Sequence, residues 1–156
     1  MNKTNVMRLL DQAQIPYKCS CYEYDENDLS GIKAAEAIGM PAEQVFKTLV
    51  AHGPKNGYLV FCIPVCCTLN LKLAAKAASD KSVELIPMKD LLSVTGYIRG
   101  GCSPIGMKKA FPSFIDETAE LYDQIAVSAG VRGQQIILSP ADLIQYVKMT
   151  LCDLTQ

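Results

Sequence analysis

The stretch Val45-Phe-Lys-Thr-Leu-Val-Ala51, continued by Gly53-Pro-Lys-Asn-Gly57 and Tyr58-Leu-Val-Phe-Cys-Ile-Pro-Val65, decides the fold class. Two apolar, β-prone runs flank a segment built from Gly, Pro and Asn, which is the pattern of a β-hairpin. Lys47 interrupts the first run. A lysine there lies at a sheet edge, snorkels to water, pairs with a carboxylate, or projects into a ligand cavity, because an isolated buried ammonium is costly.

Outward from the hairpin, helices and short strands alternate. Val6, Leu9, Leu10 and Ala13 recur at helical spacing, and Pro16 closes a helix over residues 4–14. Tyr17 to Tyr24 reads as a strand, Asp25–Ser30 as a polar loop, and Ile32–Ile38 as a helix stopped by Gly39. After the hairpin, Asn70 caps an alanine-rich helix over Leu71–Ala78, Ser82–Ile86 is a β-branched run, and a helix carrying Leu91 and Leu92 starts at Pro87. Ser113–Asp116, Gln124–Ser128 and Gln134–Leu138 read as strands, and Ser139-Pro-Ala-Asp142 opens a last helix with Leu143, Ile144, Val147 and Leu151 on its apolar face. The expected fold class is α+β, with a mixed, mostly antiparallel sheet rather than a regular parallel βαβ array. By size, residues 1–156 form a single domain.

Gly96-Tyr-Ile-Arg-Gly-Gly-Cys-Ser-Pro-Ile-Gly-Met-Lys-Lys109 carries the clearest chemical signal. Gly100 and Gly101 can take positive φ and expose bare backbone, while Ser103 and Pro104 read as the N-cap and first residue of a short helix. Backbone donors at such a loop suit phosphate, carboxylate or a developing oxyanion. Arg99, Lys108 and Lys109 make the local field positive, and no Asp or Glu occurs between Asp90 and Asp116. A tight turn with a solvated lysine pair accounts for the same pattern.

Composition narrows the options. The chain is 49% hydrophobic and 20% charged, which is ordinary for a soluble globular protein, and its net charge is −1. Residues 2–10 lack the apolar core of a signal peptide, and the longest apolar run, Tyr58 to Cys67, is half the length of a membrane span. The expected location is the cytoplasm. Seven cysteines form no Cys-x-x-Cys pair and His52 is the sole histidine, so neither a metal site nor a Cys-His or Ser-His-Asp arrangement is expected. The cysteines read as small core residues in reduced form, with Cys19 and Cys21 on one strand face and Cys62 and Cys66 a second candidate pair. Cys102 differs because it lies inside the glycine loop.

Val45-Phe-Lys-Thr-Leu49, Thr95-Gly-Tyr97, Gly100-Gly-Cys-Ser-Pro-Ile-Gly106 with Lys108-Lys109, and Val127-Ser-Ala-Gly-Val-Arg-Gly133 together resemble the YbaK/EbsC family. Its members are aminoacyl-tRNA deacylases related to the editing domain inserted in bacterial prolyl-tRNA synthetases. The resemblance runs from the first helix to near the C-terminus. It implies a curved, barrel-like sheet surrounded by helices, and metal-free, cofactor-free hydrolysis of the ester joining a wrong amino acid to the 3′ end of a tRNA. It places the key lysine at Lys47, the Gly-x-x-x-Pro loop at Gly100 to Pro104, a strand tyrosine at Tyr22 and the turn serine at Ser128. The catalytic set is then Lys47, Gly100 and Gly101, with Tyr22, Cys102, Ser103, Pro104, Ser128 and Arg132 contacting substrate. A family phenylalanine near Asp28–Gly31 has no aromatic match here, and an aspartate of relatives is Gln135, which bears on substrate choice.

The favoured substrate is Cys-tRNA(Pro), with the amino acid's own thiol or amine, a water or a ribose hydroxyl doing the work of a missing general base. Expected partners are the acceptor end of the aminoacyl-tRNA and a prolyl-tRNA synthetase that presents it, with no membrane and no DNA. At a net charge of −1 no global field steers tRNA, so Arg99, Lys108, Lys109, Lys47 and Arg132 grip only its end. Two other readings stand beside this one. The domain binds aminoacylated or nucleotide-like ligands without hydrolysing them, or Cys102 is a nucleophile with its pKa lowered by a helix start and nearby cations.

Overall fold

The computed structural model describes residues 2–156. Helix α1 (Asn5–Gln12) is capped by the Thr4 hydroxyl, which accepts from the Met7 N–H. Strand β1 (Lys18–Cys21) follows, shorter than the run from Tyr17 to Tyr24 suggests, and then α2 (Gly31–Ile38), capped by Ser30 and ended by Gly39 at φ 73°. The hairpin comprises β2 (Phe46–Gly53) and β3 (Gly57–Pro64) in the register Lys47↔Ile63 and Gly53↔Gly57. Helix α3 (Leu71–Ala77) begins where the Asn70 carbonyl oxygen accepts from Lys72 and Leu73, as that residue's capping character requires. Then come β4 (Glu84–Leu85), α4 (Leu91–Thr95), β5 (Ser113–Asp116), β6 (Ile125–Ser128), β7 (Gln134–Leu138), α5 (Pro140–Val147) and β8 (Thr150–Cys152).

Strands β1-β7-β6 form one sheet and β4-β2-β3-β5-β8 the other, and a bridge between Val45 and Ala126 joins them into one curved surface that does not close. Pairing is antiparallel for β1·β7, β6·β7, β2·β3 and β2·β4, and parallel for β3·β5 and β5·β8. The mixed, mostly antiparallel α+β architecture expected from the sequence is the one observed.

Strand β3 explains its own composition. Val60 and Cys62 face one core with Leu10, Ile115, Val127 and Ile136, while Leu59, Phe61 and Ile63 face another with Leu69, Ala74 and Leu154. With both faces covered, alternation disappears from the sequence.

Three expectations fail for physical reasons. Ser103 and Pro104 start no helix: the Ser103 hydroxyl accepts from the Ile105 N–H as a cap would, but Gly106 at φ 77° turns the chain out of helical geometry before a turn can form. Leu151 belongs to β8, because Lys148 takes the left-handed conformation and closes α5. The cysteines are not uniformly core residues: Cys62 is fully buried, but Cys21 and Cys66 are exposed, and Cys62 and Cys66 share no environment. Among the described residues, no helix is long and apolar enough to cross a membrane.

Candidate active site

A cleft of about 330 Å³ opens where the two sheets join, between α2 and the loop that follows α4. Lys47 reaches it from β2, Gly100 and Cys102 from the loop, Ser128 from the end of β6, Gln135 from β7, and Tyr22 from the chain leaving β1. Lys47 and Gly100, more than fifty residues apart in sequence, thus line one hollow. Strand β4 pairs β2 only at Ala51 and His52, so the edge of β2 beside Lys47 is open. Lys47 makes no ion pair among the described residues. Of the four options for a lysine in this strand, the structure combines an open edge with projection into a cavity. The cleft lining holds Lys47 and Arg99 and no Asp or Glu, so its field is positive.

The loop owes its shape to Gly100. The Gly101 N–H donates to the Ile98 carbonyl at 2.9 Å, closing a turn whose third residue, Gly100, has φ 85°, a conformation that favours glycine. A Cβ on Gly100 would stand 3.3 Å from Leu29, and one on Gly101 would stand 3.1–3.2 Å from the backbone of Val131 and Arg132. The glycine pair is therefore the surface on which the turn after β6 rests. The bond to Ile98 removes Gly101 as a donor and leaves the Gly100 and Cys102 N–H groups, which donate to nothing else among the described residues.

The remaining expected site residues divide into supports and neighbours. Ser103 and Pro104 are buried beneath the loop. Arg132 donates from Nε to the Arg99 carbonyl at 2.8 Å and lines an adjoining hollow rather than the cleft. Ser128 accepts from the Gly130 N–H at 3.1 Å. Lys108 turns away toward the Ser93 carbonyl, and neither it nor Lys109 lines the cleft, contrary to the expected grip on substrate. Tyr97 ties the loop together: its hydroxyl donates to the Ile105 carbonyl, and its ring packs where side chains on Gly106 and Gly130 would collide with it.

Two residues gain importance only in three dimensions. Leu29, the one apolar side chain of the polar 25–30 loop, lines the cleft against Gly100, at the place where the missing aromatic was sought. Its isolation among polar neighbours was the available signal. Gln135 pairs with Ser128 across β6 and β7 and is 6% exposed, yet its Oε1 accepts no hydrogen bond. A buried acceptor without a donor is costly, about 1–3 kcal/mol, and this one lies in the wall of the cleft.

Cys102 does not behave as an activated nucleophile. Burial pushes its thiol up to about 12, with the Thr95 hydroxyl opposing only weakly, and no helix begins beside it. At pH 8 the thiolate fraction is negligible. Iodoacetamide at that pH should label exposed Cys66 within minutes and leave Cys102 unmodified for hours in the folded protein, read by peptide mass mapping; Cys102 labelling at the rate of Cys66 would restore the thiol-enzyme reading.

Residues 28–146 match the model of the aminoacyl-tRNA editing domain. The chain is also 46% identical over 153 residues, covering 98% of itself and 93% of the relative, to the "Putative Cys-tRNA(Pro)/Cys-tRNA(Cys) deacylase EbsC" of Enterococcus faecalis. The chain belongs to the aminoacyl-tRNA editing domain family. Solved structures share the editing-domain fold at low identity. One, described as "a putative trans-editing enzyme for prolyl tRNA synthetase", superposes with a TM-score of 0.83 at 20% identity over 100% of this chain and 99% of its own. Another, the "hypothetical protein APE2540", gives a TM-score of 0.89 at 18% identity over 98% and 100%. Within this editing domain, the cleft joins Val45–Leu49, Gly100 with Cys102, and Ser128.

Proposed function

We propose that the protein is a trans-editing aminoacyl-tRNA deacylase that hydrolyses the ester of mischarged tRNA, with Cys-tRNA(Pro) as substrate. The observation that carries this reading is the meeting of Lys47 with the unpaired Gly100 and Cys102 N–H groups in one positively charged cleft. The deacylase named among its relatives supports the substrate class.

In this reading the ester carbonyl points at the Gly100 and Cys102 amides, which stabilise the oxyanion as it forms; one such donor is worth about 2.7–4 kcal/mol. Lys47 holds the terminal adenosine through its ribose edge or phosphate and so aims the carbonyl at the loop. The substrate supplies the nucleophile. The cysteinyl thiol attacks its own carbonyl, the C–S bond forms as the C–O bond to ribose breaks, the thiol proton passes to the departing ribose oxygen, and water then opens the thiolactone. Direct attack by water gives the same products without that intermediate. Leu29 and Gln135 shape the side-chain end of the cleft. A small cavity is needed there because one methylene is worth only about 1–3 kcal/mol of discrimination.

Gln135 supplies the specific polar contact. Its Oε1 accepts from the substrate's α-ammonium, the donor the folded protein does not provide. Gln135→Leu should raise KM about tenfold while leaving the protein as stable or about 1 kcal/mol more stable, since an unsatisfied buried acceptor is removed. A stability loss with unchanged KM would make Gln135 a structural residue.

Residues 1–156 act as one editing domain in the cytoplasm, and prolyl-tRNA synthetase presents the mischarged tRNA. The test is release of labelled amino acid from a panel of charged tRNAs. Cysteine should leave tRNA(Pro) at least tenfold faster than proline does. Equal rates for all esters, or none, would refute the assignment.

A further inference from the structure

The cleft opens on two neighbouring hollows of opposite character. One, of about 410 Å³, shares Tyr22, Leu29 and Gly100 with the cleft and is lined by Glu23, Asp25, Asp28 and Glu36. Two cations offset these carboxylates in part: Lys33 lies 3.5 Å from Glu36, and Arg132 donates from Nε to the Arg99 carbonyl. The other, of about 690 Å³, shares Lys47 and Leu49 with the cleft and adds Lys72; it carries no Asp or Glu side chain, and the α-carboxylate of Gln156 at its margin is outweighed by the two lysines. Lys72 is exposed and makes no ion pair among the described residues. Around it the Thr68 hydroxyl offers a further donor. Asn70 uses its carbonyl oxygen on the Lys72 and Leu73 N–H groups, which leaves its amide NH₂ to donate.

We propose that this second hollow is a phosphate-binding groove for the single-stranded 3′ end of tRNA, in which Lys72, with Thr68 and Asn70, holds a phosphate upstream of the terminal adenosine. The inference rests on the deacylase reading of the cleft and extends it by giving the RNA strand a direction. The two hollows that share lining residues with the cleft are the candidate paths for a strand leaving it. Physiological salt leaves charges largely unscreened over ~8 Å, so the excess of carboxylates over cations in the first hollow repels a phosphate where Lys47 and Lys72 attract it. Lys47 lines both the cleft and the groove, so the phosphate path continues the reacting end without a gap. The groove's donors are side chains, since Asn70 already occupies the first N–H groups of α3.

The test is Lys72→Glu beside Lys76→Glu, the same charge change at an exposed residue on α3 that does not line the groove. On Cys-tRNA(Pro), Lys72→Glu should raise KM about tenfold at low salt and flatten the log KM against log salt slope by about 0.7, the increment for one single-strand phosphate. On the cysteinyl ester of adenosine, which has no upstream phosphate, it should change nothing. Lys76→Glu should alter both substrates less than about twofold. Equal effects of the two variants, or equal effects on the two substrates, would overturn the groove. Binding of the oligonucleotide CCA, uncharged with amino acid, reads the groove independently of chemistry: if the wild type binds CCA and Lys72→Glu does not, but no ester is cleaved, the deacylase reading falls and the groove stands. Unaltered CCA binding by Lys72→Glu removes the groove alone.

Discussion

Lys47→Ala should lower the rate of ester hydrolysis by about 10²-fold, the loss expected when the contact that aims the ester carbonyl at the loop is removed. The melting temperature should stay within about 2 °C, because Lys47 is only half-buried and makes no ion pair among the described residues. Circular dichroism and single-turnover release of labelled cysteine check both halves. Lys47→Met keeps the stem and removes the charge, so it should be as inactive as the alanine variant and as stable as the wild type. Retained activity in either variant would place the cation outside the reaction.

The second large effect is at Gly100. Its φ of 85° costs an alanine roughly 1–2 kcal/mol, and the new Cβ would meet Leu29 at 3.3 Å. Relief by rotation of the turn's peptides would move the Gly100 and Cys102 N–H groups off the carbonyl that the proposed mechanism aims at them. Gly100→Ala should therefore lower kcat about 100-fold, with a melting temperature about 3–6 °C below wild type. Gly39→Ala separates the two causes. Gly39 has φ 73° at the end of α2 with nothing within 4 Å of its added Cβ, so the variant should lose similar stability and keep its activity. If Gly39→Ala were as inactive as Gly100→Ala, the loss would reflect stability and the donors would have no special role.

Local rules carried most of the secondary structure. Asn70, Ser139 and Gly39 mark helix ends by capping chemistry that needs no tertiary contact, and Gly57 at φ 75° closes the hairpin as its conformational freedom allows. The failures came where the backbone left the helical path. Gly106 at φ 77° turns the chain away just after the Ser103 cap bond, and Lys148 at φ 65° breaks the apolar spacing that carries Leu143 to Leu151. The parallel pairing of β3, β5 and β8 left no trace in spacing, since those contacts join segments separated by long connections.

The site was legible as separate pieces. Lys47 stood out as a charge in an apolar strand, and Gly100 as one of a pair in a basic loop. Their convergence depends on the bridge from Val45 to Ala126 and on the fit of Gly101 against Val131, neither of which a residue pattern encodes. Lys108 and Lys109 show the reverse. Their proximity in sequence to the loop suggested a role that the chain direction after Gly106 denies them.

The most direct measurement is an amide NMR titration with a cysteinyl-adenosine in which a stable amide replaces the 3′ ester. The account predicts that the Gly100 and Cys102 N–H resonances and the Lys47 ammonium shift together and saturate at one ligand per chain, with Gly101 N–H little changed because it remains bonded to Ile98. Saturable binding that leaves Gly100, Cys102 and Lys47 unmoved while resonances elsewhere shift would contradict it.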